Sequence, residues 1–196
     1  MEPCRYRVIL ICCAALLLLN CGGSAPRDLV LLDFESDREL DRIHWDCHTL
    51  LSLSDRHVSH GSKSLKLELF TSEYPGLSPV LGENDWRGYR ALLFDIYNPQ
   101  ENAVRITVRI DDREDYPEYR DRYNGGFTLA PGPNRIRIPL GALTTPGAAR
   151  RLDLGEIRRL FIFTARPERK VVLFVDYIRL LGAPESRGKG GIQGSL

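Results

Sequence analysis

Disulfide chemistry is closed to most of this chain. Of its five cysteines only Cys47 lies beyond residue 21. One cysteine makes no internal bridge, so a folded domain must rest on its apolar core. Surplus charge is missing too. Twenty-seven Lys and Arg stand against 26 Asp and Glu, a net of +1, and the signs are interspersed, so no footprint for nucleic acid stands out. The catalytic patterns GxSxG and HExxH are absent, as are CxxC, the P-loop and the dinucleotide-binding glycines, which argues against the common hydrolase, zinc-protease and nucleotide-dependent classes. Helix signals are few. Asp37–Ile43 reads as one or two turns, and Asp153–Arg159 as one short turn capped by Asp153 with Arg158 and Arg159 at its end. There is no βαβ alternation and no internal repeat.

The one long apolar run lies at the start. Arg5 and Arg7 precede Val8–Leu19, which at about twelve residues is short of the roughly 20 that a spanning helix needs. It has the form of a signal-peptide core. Leu18-Leu19-Asn20-Cys21-Gly22 follows and resembles the lipobox of bacterial lipoproteins. The resemblance implies cleavage after residue 20 and acylation, palmitate included, of Cys21. It departs at Asn20, where a small residue is usual, and an ordinary secretory signal with an incidental cysteine is the alternative. Cleavage would leave 25 charges of each sign, and residues 21–28 would form a flexible tether. The expected location is a bacterial cell envelope, lipid-anchored in a membrane. Gly22 after the cysteine favours the outer membrane.

From Leu29 the dominant period is two. Ser64–Leu69, Val104–Asp111 and Arg135–Ile138 alternate apolar and polar residues, so each predicts a strand with one face in a core and one in water. Leu92–Tyr97, Leu160–Phe163 and Val171–Val175 are more uniformly apolar and predict interior strands, with shorter ones at Leu50–Leu53 and Phe127–Leu129. Turn dipeptides such as His60-Gly61, Pro75-Gly76, Asn98-Pro99 and Gly125-Gly126 separate them. The expected fold is all-β, an antiparallel β-sandwich of jelly-roll form over residues 29–182, followed by a disordered glycine-rich tail at 183–196.

Two runs frame this domain. Val30–Ser36 (VLLDFES) opens it and Val171–Leu180 (VVLFVDYIRL) closes it. They are expected to pair, bringing Asp33, Glu35 and Asp176 together at the rim. Between them stand Val58–Leu67 (VSHGSKSLKL), Asp85–Tyr89 before Leu92–Pro99, and Leu129–Asn134 before Ile138-Pro139-Leu140. In this order the pieces resemble the galactose-binding-like jelly roll of bacterial carbohydrate-binding modules. The resemblance covers Leu29–Leu181 and implies a structural calcium ion (Ca2+) at the sandwich edge, held by Glu35, the backbone of Ser62 and Lys63, and Asp176. The alternative for Asp176 is solvent or an ion pair with Arg179.

The richest polar stretch is Asp111–Asn124, DDREDYPEYRDRYN. It reads as a rim loop, with Tyr116, Tyr119 and Tyr123 as sugar-stacking rings and Arg109, Asp111 and Arg122 as polar anchors. The alternative is a solvated loop whose tyrosines cover the core edge. Trp45 is a further candidate for the binding face, whereas Trp86 reads as structural. His44, Asp46, Cys47 and His48 have the residue types of a zinc site, with His57 and His60 nearby, but neighbours in an extended segment point to opposite faces. The function expected is that of a membrane-anchored, non-catalytic carbohydrate-binding module whose partner is a glycan bound at the concave face or rim. An envelope protein is the alternative partner. A glycoside hydrolase would need two carboxylates facing across a cleft, which acidic neighbours such as Asp111 and Asp112 do not establish.

Overall fold

The computed structural model describes residues 27–46 and 48–182, with the backbone alone at Trp45 and Asp46. The leader at 1–20, most of the tether with Cys21, Cys47, and the tail at 183–196 lie outside the described residues. Eleven strands are formed: β1 (Leu29–Leu32), β2 (Ile43–Asp46), β3 (Thr49–Ser54), β4 (Ser64–Leu69), β5 (Gly76–Pro79), β6 (Tyr89–Asn98), β7 (Val104–Asp111), β8 (Tyr123–Leu129), β9 (Gly132–Pro139), β10 (Arg159–Phe163) and β11 (Val171–Gly182). One sheet runs β3-β4-β11-β6-β9, with β1 also on β11; the other runs β2-β5-β10-β7-β8. All pairings are antiparallel.

The period-two alternation sets the layers. Leu65, Leu67 and Leu69 of β4, Leu92, Phe94 and Ile96 of β6, and Leu173 and Val175 of β11 point into the core from one sheet. Ile106, Val108 and Ile110 of β7, with Leu160 and Ile162 of β10, meet them from the other. Their alternate neighbours face outward. Trp86 is fully buried and its indole N–H donates to the Glu83 carbonyl at 3.1 Å, the structural role expected of it.

Two strands were not legible in advance. β5 is GLSP, whose glycine and proline read as turn residues, and β2 is IHWD, too short to show a period. Residues 37–42 do coil, as a 3-10 helix whose N-cap Ser36 accepts the Arg38 N–H. The short turn expected at Asp153–Arg159 forms only over its first residues, without becoming a helix. Asp153 caps this tight turn as expected, taking the Gly155 N–H on its side chain and the Glu156 N–H on its carbonyl. The chain then straightens, because the Arg158 N–H is drawn to the Asp111 carbonyl at 2.8 Å.

The opening and closing runs pair, Leu29 opposite Leu180 and Leu32 opposite Ile178. The long strand β11 keeps β6 along one side. On its other side β4 holds Val171–Val175 and β1 holds Leu180–Ile178. Asp176 and Tyr177 fall in the seam where one partner stops and the next begins, and Tyr177 takes the left-handed region at φ 51°. The loop between β3 and β4 closes the seam. Asp176 Oδ2 accepts the backbone N–H of Ser59 (2.6 Å), that of His60 (2.9 Å) and the Ser59 hydroxyl (3.0 Å).

Glu35 grips the far end of the same loop, accepting the N–H of Ser62 and of Lys63 and the Ser62 hydroxyl. Phe34 stands between at φ 61° with its ring fully buried. That left-handed residue turns its own side chain inward while Asp33 and Glu35 face the loop. Hydrogen bonds to a charged group contribute about 2 kcal/mol. Asp176→Ala is expected to lower stability by about that amount in urea unfolding, and to make residues 55–63 an early site of limited proteolysis.

Candidate functional site

The outer face of the five-stranded sheet carries a groove of about 530 Å³. Its floor follows from strand parity. In β10 the aliphatic Leu160 and Ile162 go inward, so Phe161 and Phe163 go outward and stack on each other at 4.6 Å. In β7 the same parity puts Arg105, Thr107 and Arg109 outward. Register makes rows of these, with Phe161 beside Arg109 beside Asn124 and Phe163 beside Thr107 beside Gly126. Tyr74 meets Phe163 edge-on at 5.6 Å and forms one wall; Tyr119 and Arg122 form the other.

Glycine shapes this floor twice. A side chain at Gly76 would collide with Phe163, and one at Gly126 would press on the Arg105 guanidinium.

The wall at 112–122 is a loop held by ion pairs. Buried Asp112 takes two hydrogen bonds from Arg150 and one from the Asp153 N–H, and Arg150 also reaches Asp121. Burial alone would push the Asp112 carboxyl up, but the Arg150 and Asp153 hydrogen bonds and the Arg150 charge together hold it below the ordinary value. Asp111 is completely buried and receives both Arg109 and Arg159. Arg122 forms no ion pair among the described residues, and Asp111 acts on it only as a nearby charge. Its Nη1 donates to the Pro117 carbonyl at 3.3 Å, and its buried Nε has no acceptor. Burial first, and then repulsion from Arg109, weaken its hold on its proton.

Of the residues expected to bind ligand, Arg109, Tyr119 and Arg122 line the groove. Tyr116 stands 80% exposed on the rim with the Arg159 guanidinium 4.1 Å over its ring. Two expectations are corrected. Tyr123 is the first residue of β8 rather than part of the loop, and its parity packs it against the core beside Gly125. Asp111 is a buried clamp on two arginines, not an anchor open to ligand. Trp45 lies in β2 opposite Leu77. Tyr74, Arg105, Thr107, Phe161 and Phe163 were not anticipated. The alternation of phenylalanine with leucine and isoleucine in Leu160–Phe163 was the available signal.

A second cavity of about 460 Å³ lies on the outer face of the six-stranded sheet. Its main aromatic surface is already covered, since the His57 ring lies flat on Tyr97 at 3.6 Å and edge-on to Phe174. His60 likewise stacks on Tyr177. Among the described residues no three or more His, Cys, Asp or Glu side chains gather as a metal site.

The four residues expected to hold calcium do meet on one loop, but through the wrong atoms. Calcium takes six to eight oxygen ligands, whereas the Ser62 and Lys63 backbone offers Glu35 its N–H groups. Those amides, Lys63's first, hold the Glu35 carboxyl below its usual value. Asp176 is pushed up by burial against the same kind of hydrogen bond, and its Oδ1 is buried without a partner. As built, this donor set does not fit the ion. The expected melting temperature in excess EDTA is therefore that of untreated protein; a fall restored by added calcium would show a clasp rebuilt around the metal.

No family model matches the sequence, and neither does any curated protein. Solved structures share the fold. The family 11 carbohydrate-binding module from Clostridium thermocellum, in complex with a β-1,3-1,4-mixed-linked tetrasaccharide, is 21% identical; the match covers 83% of this chain and 99% of that one at a TM-score of 0.60. The CBM22-1 xylan-binding domain from Paenibacillus barcinonensis Xyn10C is 13% identical over 82% of this chain and 100% of that one, with a TM-score of 0.52. An exo-β-agarase matches 80% of this chain with a quarter of its own length, at 18% identity and a TM-score of 0.66. The chain is thus an all-β sandwich with the jelly-roll fold of carbohydrate-binding modules.

Proposed function

We propose that this chain is a non-catalytic glycan-binding module, anchored to a bacterial cell envelope by lipid on Cys21, whose sugar site is the groove on the five-stranded sheet. One observation carries the reading: the Phe161–Phe163 platform is walled by Tyr74 and Tyr119 and flanked by Arg109, Arg122, Thr107 and Asn124. Aromatic faces pack against the C–H surfaces of a sugar ring, and the polar groups fix its hydroxyls. The fold supports it, since the neighbours that match over their whole length are carbohydrate-binding modules. A fold hosts many functions, so the weight rests on the groove. The acids nearest the groove favour binding over hydrolysis, because Asp111, Asp112 and Asp121 are all engaged by arginines. The anchor is supported by Arg5, Arg7, the apolar Val8–Leu19 and the Leu18–Gly22 lipobox-like motif.

Affinity electrophoresis on a panel of soluble polysaccharides tests the site. Retention on at least one polymer is expected. Tyr119→Ala, a change at a residue 61% exposed, should weaken it about tenfold, the effect of losing one stacking contact worth about 1.4 kcal/mol. No retention on any polymer, with co-purification of an envelope protein indifferent to Tyr119, would replace the glycan with a protein partner. Radiolabelled palmitate tests the anchor: the label should enter the wild-type chain in bacteria and be lost with Cys21→Ser.

A further inference from the structure

Resting on the glycan reading of the same groove, we infer that its ligand is an acidic polysaccharide, whose carboxylate or sulfate groups are met by Arg122 and Arg105. The lining contains Arg105, Arg109 and Arg122 and no aspartate or glutamate. Acids close by are already committed. Asp111 is shared by Arg109 and Arg159, Asp121 by Arg150 and Arg113, and Glu73, next to Tyr74, pairs with Arg166. Arg105 and Arg122 form no ion pair among the described residues.

Arg122 is the sharper case. Its Nε is enclosed by protein with no acceptor, and its only side-chain hydrogen bond is the 3.3 Å contact to the Pro117 carbonyl. Arg122 is half-buried, and the carboxylate that acts on it, Asp111, is already shared by Arg109 and Arg159, so its charge is only partly compensated. Arg109, opposite Asn124 on the neighbouring strand, adds a like charge close by, which Asp111 offsets in part. An anion seated against Arg122 supplies the ion pair it lacks. The planar guanidinium fork suits carboxylate and sulfate oxygens, to which it donates two parallel hydrogen bonds.

Hydrogen-bond polarity points the same way. A neutral sugar offers hydroxyls that both donate and accept, and a site for it needs acceptors as well as donors. Guanidinium groups only donate. The Asn124 amide nitrogen is engaged by the carbonyls of Tyr119 and Arg122, so the lining supplies little beyond the Asn124 oxygen and the hydroxyls of Thr107 and the tyrosines to receive a sugar O–H. The ligand that suits this lining brings its own acceptors. The Phe161–Phe163 platform still asks for a ring face, which makes the ligand a sugar acid or sugar sulfate rather than a bare anion.

The test is affinity electrophoresis and calorimetry of the full-length protein at physiological salt. Polygalacturonate supplies the carboxylate arm, κ-carrageenan the sulfate arm, and mixed-linked β-glucan and xylan the neutral controls. Binding to at least one acidic polymer is expected, tenfold or more tighter than to either neutral one, and the arm that binds identifies the anion. Arg122→Gln should weaken acidic binding at least tenfold. Arg105→Gln, at an exposed position that the fold does not depend on, should weaken it severalfold. Arg137→Gln, on the outer face of the opposite sheet, should leave it unchanged. Three results would overturn the inference. If neutral polymers bind as well and Tyr119→Ala alone removes them, the groove stands and its preference for acid falls. If Arg137→Gln weakens binding as much as Arg122→Gln, the attraction is diffuse charge. If no polymer binds, the groove is not a sugar site and the inference goes with it.

Discussion

The carboxylate of Asp176 and the amides it gathers are what the rest of the six-stranded sheet depends on. β11 has to serve two partners along one side, because β4 is used up at Val175 and β1 begins at Ile178. A continuous ladder is impossible across that change of partner. The strand bulges at Tyr177, and the freed space is spanned by a side chain bonding to a loop rather than by strand bonding to strand. Burying an acid is unfavourable unless its oxygens are hydrogen-bonded. Here the hydrogen bonds are the means by which the 55–63 loop is held over the seam. Asp95 next to it is held mainly by Arg135 at 2.7 Å and Arg179 at 3.6 Å, and the Ser59 hydroxyl lies between the two acids, 3.2 Å from Asp95 and 3.0 Å from Asp176.

The opposite sheet solves a different problem. Its outer face must keep aromatic and cationic side chains in fixed places along a groove. The interior does this through register. With Ile106, Val108 and Ile110 locked in the core, Arg105, Thr107 and Arg109 have no choice of side. Asp111 then orients two guanidiniums from its buried position, while Arg150 ties the 112–122 loop back to the body. The groove is therefore a by-product of core packing plus a small number of buried charges, which is how a rigid site is built on strands.

Much of this architecture was legible because alternation is a strong signal. Ser64–Leu69 and Val104–Asp111 announce both their strand character and their faces. The pairing of the first and last runs follows from the same logic. Two strands were not legible because they lack a visible period. GLSP in β5 is masked by its glycine and proline, and IHWD in β2 has too few residues. Tyr123 was misplaced because a single residue decides whether a chain is still loop or already strand, and that residue decides inside from outside. Phe161 and Phe163 were hidden among equally apolar neighbours, since a run buried on both faces and a run with an aromatic outer face look alike in composition. Arg122 was found from its company of tyrosines, but its lack of an ion pair among the described residues is a matter of three-dimensional placement. The calcium expectation shows the same gap from the other side. Residues 35, 62, 63 and 176 were rightly associated with one loop, yet whether a backbone presents its N–H or its carbonyl depends on local torsions that residue identity does not reveal.

The pairing of β1 with β11 also has a temporal meaning. Leu29 bonds alongside Leu180, so the first strand of the domain waits for the last to be made. Contacts between residues so far apart in sequence close late and slowly. Until then β6 has an unpaired edge where β11 belongs, a surface open to wrong partners. A chain made from its N-terminus holds that edge exposed through almost the whole of its synthesis. Only when the closing strand emerges does the sheet become complete, and it does so in one step, because β11 supplies the missing neighbour of β4, β6 and β1 at once.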